Sequence, residues 1–332
     1  MTNRRLLLAE RPTGLIDDTT IESVDTEQPV LADGQALVRV ELLSIDPTIR
    51  TWMDDVVGYL PPIAIGEVVR GSGIGQVVQS AAPELEVGTR VFGMLVWQDY
   101  VALDAAALTP VPDGVDPEQS LNLLGVTGIT AYFGLLDVGQ IQAGDAVLVS
   151  GAAGATGSVA GQLARVHDAG KVVGIAGSSE KCAWLTEELG FDAAINYKSD
   201  DVRERLAAEF PDGIDLYFDN VGGELLDHVL ARIANHARIV LCGAIASYTD
   251  RSNVTPIRNH TNLISRRGTM RGFIILDYAP RYAEAQAELA RLAAIGAIKT
   301  REHVIDGLER APEALNMLFT GANTGKTIVR VG

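Results

Sequence analysis

The chain has 332 residues, enough for two domains and a sizeable core. Its formal net charge of −16 repels nucleic acid and anionic membrane surfaces, so neither is expected as a partner. Two cysteines, Cys182 and Cys242, argue against a disulfide framework and suit a reducing cytoplasm, and no apolar run approaches the length of a membrane span.

The N-terminal segment MTNRRLLLAERPTG reads as a first β-strand and not as a signal peptide, because a charged Glu-Arg-Pro follows its short apolar run. Residues 1–120 read as all-β. Ala36–Leu43 alternates as a half-buried strand does. The stretch Glu67–Val78 is rich in Val, Ile and Gly, and its glycines predict bulges or barrel corners. Thr89–Leu95 and Asp99–Leu103 follow as strands, with Asp46-Pro47, Pro61-Pro62, Ala82-Pro83 and Val111-Pro112 as punctuation. Short strands at this spacing predict a small barrel. Residues 1–166 contain no Cys and no His, so a zinc-dependent alcohol dehydrogenase is set aside and no metal site is expected. The histidines, His167, His228, His236, His260 and His303, form no catalytic or ligand constellation.

From Ser120 the pattern changes. Leu121–Leu136 reads as helix, interrupted at Gly125 and Gly128. Strands are expected at Ala146–Ser150, Val172–Ala176, Ala193–Tyr197, Ile214–Asn220, Arg238–Gly243 and Met270–Leu276. Helices fall between them, including Glu180–Leu189 and Glu224–Ala234. Six short apolar strands alternating with helices imply a parallel, doubly wound sheet. An amphipathic helix, Pro280–Ile295, closes this region. The tail adds a strand near Glu302–Ile305, a helix over Leu308–Phe319 and a last strand, Thr327–Val331.

The most informative stretch runs from Asp145 to Lys181. A buried strand leads into the turn Gly151-Ala152-Ala153-Gly154-Ala155-Thr156-Gly157, a helix-period segment with Val159, Leu163 and Val166 on one face, and a second apolar strand. In that strand–helix–strand context, small residues let the backbone approach a pyrophosphate at a helix N-terminus. Ala152 stands where the first glycine of G-x-G-x-x-G would be, while Gly154 and Gly157 keep the other two. The second strand ends in Ala176-Gly177-Ser178-Ser179, without the carboxylate that holds a 2′-hydroxyl in NAD-binding chains. Lys181 and Ser178 stand there as a cation and a hydroxyl for a 2′-phosphate, and Glu180 weakens the site somewhat. NADP(H) is therefore expected in preference to NAD(H).

Several segments together resemble the zinc-free medium-chain dehydrogenases/reductases of the leukotriene B4 12-hydroxydehydrogenase, prostaglandin reductase and curcumin-type double-bond reductase kind. They are Ser44-Ile45-Asp46-Pro47-Thr48-Ile49-Arg50, Gly128-Ile129-Thr130-Ala131-Tyr132-Phe133-Gly134, the turn Gly151–Gly157, Asp219-Asn220-Val221-Gly222-Gly223, Cys242-Gly243-Ala244-Ile245 and Asn323-Thr324-Gly325-Lys326. The resemblance spans nearly the whole chain. It implies an α/β protein with a GroES-like β-barrel catalytic domain (1–120, completed by 297–332) and a Rossmann domain (121–296) that binds NADPH in the cleft between them.

Carried over by residue, the resemblance gives the pyrophosphate to the turn Ala152–Ala155, within the cofactor-binding residues Ala152, Ala153, Gly154, Ala155, Thr156 and Gly157, and the 2′-phosphate to Lys181 and Tyr197, beside the Ser178 hydroxyl. Asn220, Cys242, Gly243, Ala244, Ile245 and Tyr248 would line the cofactor's path. Phe273, Ile274 and Ile275 would approach the nicotinamide, although a buried strand needs the same residue types, and Asn323 would bond it from the tail. Arg50, Trp52, Met53 and Tyr59, with the loop Tyr248–Asn262, would line the substrate pocket; that loop reads equally as a mobile lid or a plain solvated loop. The family tyrosine thought to assist protonation is replaced, on the best alignment, by Ser265. The proton donor is then water, a ribose hydroxyl or Tyr248.

The expected reaction is NADPH-dependent reduction of the C=C bond of an α,β-unsaturated ketone or aldehyde. Hydride goes to the β-carbon, a hydrogen-bond donor meets the enolate oxygen, and a proton goes to the α-carbon. A quinone oxidoreductase is the alternative enzyme, and a non-catalytic NADPH-binding redox sensor is the alternative of another class. The resemblance also implies a homodimer, joined sheet edge to sheet edge.

Overall fold

The structure, a computed structural model, describes residues 2–112, 114–250 and 255–332. Arg251, Ser252 and Asn253 of the expected lid loop lie outside the described residues. Contacts divide the chain into two units, Met1–Leu121 with Glu302–Gly332, and Asn122–Arg301.

In chain order, the first unit contributes strands β1 (Thr2–Leu8), β2 (Ile21–Glu27), β3 (Gln35–Ile45), β4 (Gly73–Ser80), β5 (Arg90–Gly93), β6 (Tyr100–Asp104) and β7 (Thr109–Pro110). The second holds β8 (Ala146–Val149), β9 (Lys171–Ala176), β10 (Ala193–Asn196), β11 (Ile214–Asp219), β12 (Ile233–Leu241) and β13 (Thr269–Gly272). The tail returns β14 (Glu302–Asp306) and β15 (Lys326–Arg330) to the first unit.

In the first unit β1 and β2 form an antiparallel hairpin, and the other strands form one sheet in the order β14-β15-β3-β4-β5-β7, with β6 pairing β3. The β3–β4 register shifts twice, at Leu37/Val38 and Val40/Leu42, which bends the sheet where the glycine-rich sequence predicts bulges. Leu8, Ile49, Met53 and Trp97 form its core together with Leu308, Leu315 and Val329 from the tail. Beside that core lies an ion pair whose ammonium is buried and whose carboxylate is partly exposed. Lys326 Nζ donates to Asp46 Oδ1 at 2.8 Å and to the Ile45 carbonyl at 2.9 Å, and Ser44 Oγ donates to the other oxygen of Asp46.

The second unit is a six-stranded parallel sheet in the order β10-β9-β8-β11-β12-β13. The order reverses between β8 and β11, so the ends of these two strands mark the crevice where doubly wound sheets bind ligands. Both faces are covered. Val159 and Leu163 of the helix Ala155–Val166 pack with Leu289 on one side, and Leu206, Phe210, Leu226 and Val229 pack on the other. Ile298 is buried in the first of these cores, and the Lys299 backbone exchanges hydrogen bonds of 2.8 and 2.9 Å with the Gln162 carboxamide.

Three elements depart from expectation. The helix expected over Glu224–Ala234 is Gly223–Leu230, because Ile233 already begins β12 beside Ile214. The strand expected over Met270–Leu276 ends at Gly272; Phe273 and Ile274 leave the sheet, and Ile275–Arg281 forms 3₁₀ turns. Strand β2 escapes sequence detection because IESVDTE has little apolar content and no buried residue.

Candidate active site

The glycine turn lies between β8 and the helix Ala155–Val166. That helix begins at Gly154 in extended conformation (φ −87°, ψ 175°), with no side-chain cap. Among the described residues no side chain caps its first amides, which is the arrangement an anionic pyrophosphate needs. A Cβ on Gly157 would lie 2.4 Å from the Gly151 carbonyl oxygen, so only glycine lets helix and turn pack this closely. Ala152 is fully buried; its amide donates to the Ile175 carbonyl at 3.0 Å, which ties the turn to β9.

At the tip of β9 the contrast is informative. Ser178 caps the next helix, its Oγ accepting the Lys181 N–H at 3.2 Å. The pairing of Asn196 with Ala176, and the Tyr197 N–H on the Ala176 carbonyl at 3.1 Å, bring Tyr197 and Lys198 alongside this tip. The Tyr197 ring is half exposed and lies over Gly177, with Lys198 Nζ 5.9 Å from its centroid. Burial, followed by the charge of Lys198, pulls the Lys181 ammonium below the usual lysine range, while Glu180 opposes this. Two lysines, a hydroxyl and a phenol thus converge where a 2′-phosphate is expected. Lys198 was not singled out from the sequence; the signal was its place directly after Tyr197 at a strand end.

The ends of β12 and β13 open onto a cavity of about 550 Å³, walled by Leu241, Cys242, Gly243, Ala244, Tyr248, Gly272, Phe273, Ile274 and Asp277. Tyr248 folds back so that its hydroxyl accepts the Ala244 N–H at 3.0 Å. Burial, reinforced by the charge of Asp219, pushes the Cys242 thiol up to about 12, so it remains a neutral wall residue at ordinary pH. Phe273 is set by packing: its ring meets Tyr278 edge-on at 6.2 Å, and a Cβ at Gly134 would stand 2.9 Å from its Cζ and 2.7 Å from Phe218. Gly134→Ala is therefore expected to displace Phe273 and cost about 1–3 kcal/mol of unfolding free energy in a denaturant titration. An unchanged midpoint would show that the rings have room.

The other expected residues distribute unevenly. Asn220 stands at the mouth of the β8/β11 crevice, its Nδ2 donating to the Ser150 carbonyl at 2.7 Å. Ile245 begins a 3₁₀ turn just past the cavity wall, and Ile275 follows Ile274 at its edge. Ser265 is exposed, its hydroxyl on the Asn262 carbonyl at 3.3 Å, and it is not a cavity wall; Leu263 packs inward on that short helix and turns Ser265 outward.

In the first unit Arg50 does not line an open pocket. It is 2% exposed, and its guanidinium is committed to the Gly14 and Pro12 carbonyls and to Asp54. Met53 is wholly buried in that unit's core. Trp52 and Tyr59 remain partly exposed, in an edge-on pair with centroids 6.4 Å apart. Asn323 is nearly buried, with Nδ2 donating to the Gly325 carbonyl at 3.2 Å. Among the described residues no group of three or more His, Cys, Asp or Glu side chains could hold a metal ion. No helix among them is long and apolar enough to cross a membrane.

Comparison with known proteins completes the picture. Residues 4–111 match the family described as the N-terminal domain of oxidoreductase, and residues 155–293 match the family described as zinc-binding dehydrogenase. The chain is 39% identical to the NADPH-dependent curcumin reductase of Escherichia coli, over 99% of this chain and 97% of that protein. It is 36% identical to prostaglandin reductase 1 of Rattus norvegicus, over 96% and 95%. The crystal structure of CurA from Vibrio vulnificus in complex with NADPH superposes with a TM-score of 0.94, at 39% identity over 99% of both chains. The chain belongs to the zinc-independent medium-chain dehydrogenase/reductase family. Its architecture is the family's GroES-like domain plus Rossmann domain. It is an NADP-dependent oxidoreductase of the curcumin and prostaglandin reductase type, and NADP(H) is its cofactor.

Proposed function

We propose that this enzyme reduces the C=C bond of small, apolar α,β-unsaturated ketones or aldehydes. The observation that carries this reading is the cavity at the ends of β12 and β13. Its walls are mainly apolar, with the Tyr248 phenol, the Cys242 thiol and the exposed Asp277 carboxylate as the polar side chains among them. Such a site suits a reaction in which the protein orients, shields and donates one hydrogen bond. Kinship with proteins named curcumin reductase and prostaglandin reductase points the same way.

When bound, NADPH supplies a hydride for the electron-poor β-carbon. Ala152–Gly157 would hold the pyrophosphate, and Ser178, Lys181, Tyr197 and Lys198 the 2′-phosphate. Asn220 and Cys242–Ile245 would line the cofactor's path, with Phe273, Ile274 and Ile275 keeping water from the nicotinamide. The Tyr248 hydroxyl would meet the carbonyl oxygen as it gathers charge, and the proton for the α-carbon would arrive through it or through water. From the resemblance the proposal keeps Asn323 as a cofactor residue and Trp52 and Tyr59 as substrate residues. It also keeps a cytoplasmic homodimer, supported by β13, an outer strand of its sheet with Thr269, Arg271 and Gly272 exposed.

Steady-state consumption of NADPH with a panel of enones, enals and quinones tests the reading. Enones should be turned over, and Tyr248→Phe should lower kcat about tenfold or more with little change in NADPH binding. Turnover of quinones with no enone accepted would overturn it, and NADPH binding without any turnover would favour the sensor.

A further inference from the structure

Strand β11 carries a buried carboxylate that the scheme above does not use. Asp219 is completely buried. Four donors converge on its Oδ1: the Tyr217 hydroxyl at 2.7 Å, and Ser150 Oγ, the Val221 N–H and the Gly222 N–H, each at 2.9 Å. Among the described residues Oδ2 has no hydrogen-bond partner and no Lys or Arg forms an ion pair with this side chain. A buried carboxylate without a counter-ion is costly to keep. Four converging donors suit an ionised oxygen, which holds hydrogen bonds more strongly than the neutral oxygen of an asparagine would.

Its position relative to the cavity gives it a use. The Asp219 carbonyl accepts the N–H groups of Cys242 at 2.9 Å and Gly243 at 3.0 Å, both cavity walls. Asp219 thus abuts the wall through its main chain; its carboxylate is held by Tyr217, Ser150 and the Val221 and Gly222 amides, and its charge still reaches the wall's thiol. Asp277 is a second carboxylate at the cavity, but it is exposed and screened by solvent.

We propose that the Asp219 carboxylate biases the bound nicotinamide toward its oxidised, cationic form and so makes the bound cofactor a stronger hydride donor. This rests on the reading above that the nicotinamide occupies this cavity. Loss of a hydride, a proton with two electrons, raises the ring's charge by one. A fixed negative charge in a dry environment favours the product of that step over its reactant. Asp219 touches neither cofactor nor substrate; it acts as a positioning residue whose charge works through the wall at Cys242 and Gly243.

Direct titration of the full-length protein with NADP+ and with NADPH tests this without turnover. Asp219→Asn should raise the ratio Kd(NADP+)/Kd(NADPH) about tenfold, equivalent to a rise of about 30 mV in the bound two-electron potential. Ser150→Ala removes a hydrogen bond but keeps the charge, so it should change both affinities by one common factor. An unchanged ratio in folded Asp219→Asn, or an equal change of ratio in Ser150→Ala, overturns the proposal. If Asp219→Asn does not fold, Asp219→Ser, also neutral and smaller, takes its place and should raise the ratio in the same sense; an unchanged ratio there overturns the proposal. The underlying site reading fails separately. Ile274→Trp should block NADPH but not adenosine 2′,5′-bisphosphate, which lacks the nicotinamide; unimpaired NADPH binding would remove the cavity assignment and the proposal together.

Discussion

Replacing Lys181 with alanine is expected to weaken NADPH binding roughly ten- to a hundredfold while leaving NADH binding nearly unchanged. The figure is that of one charge-assisted hydrogen bond to a phosphate, about 1.5–3 kcal/mol. Its physical basis is the tip of β9, where Ala176–Ser179 carry no carboxylate and where burial and the nearby Lys198 charge depress the Lys181 ammonium against the opposing Glu180. Two like charges held together gain most when a dianion arrives between them. NADH lacks that dianion and should not register the substitution. Lys198→Ala should act in the same sense but less strongly, since Lys198 is exposed and solvent screens it. Isothermal titration with both cofactors checks this. Equal losses for NADPH and NADH would mean that Lys181 supports the turn and not the phosphate.

The second large effect concerns stability. Asp46→Ala is expected to destabilise the protein by about 3–5 kcal/mol, because it strands a buried ammonium. The Lys326 side chain is 1% exposed, and after the substitution only the Ile45 carbonyl would remain to it of the partners described. Asp46→Asn keeps an acceptor in place and should cost less. Equilibrium unfolding in urea separates the two variants. A loss below about 1 kcal/mol for Asp46→Ala would mean that water reaches Lys326 in place of the carboxylate.

Much of the second unit was legible because its signals are local. A parallel sheet buries both faces, so β8, β9 and β11 appear as short apolar runs, and the glycine turn is written in consecutive residues. The cofactor preference was legible through an absence, the missing carboxylate after Ala176. What escaped depends on pairing between distant segments. Lys198 gains meaning only when the register of β9 and β10 sets it beside Ser178. Arg50 looks like a surface or pocket cation in sequence, yet Pro12 and Gly14, far off in the chain, supply the carbonyls that let it be buried. Phe273–Ile275 satisfied the composition of a buried strand and became instead a cavity wall and the start of a turn. Nothing in the local sequence distinguishes a wall from a core, because both need large apolar side chains.

The placing of β15 has a consequence for how the protein comes off the ribosome. The second unit is one continuous segment and is complete once Arg301 has emerged. The first unit is not: β3 must wait for β15, and Asp46 waits for Lys326, a partner 280 residues downstream. During synthesis a finished nucleotide-binding unit therefore precedes a barrel that is still open along one side, with its bulkiest apolar residues translated but not yet enclosed. For the length of one sheet's unpaired edge, the emerging chain depends on the speed of its last strand.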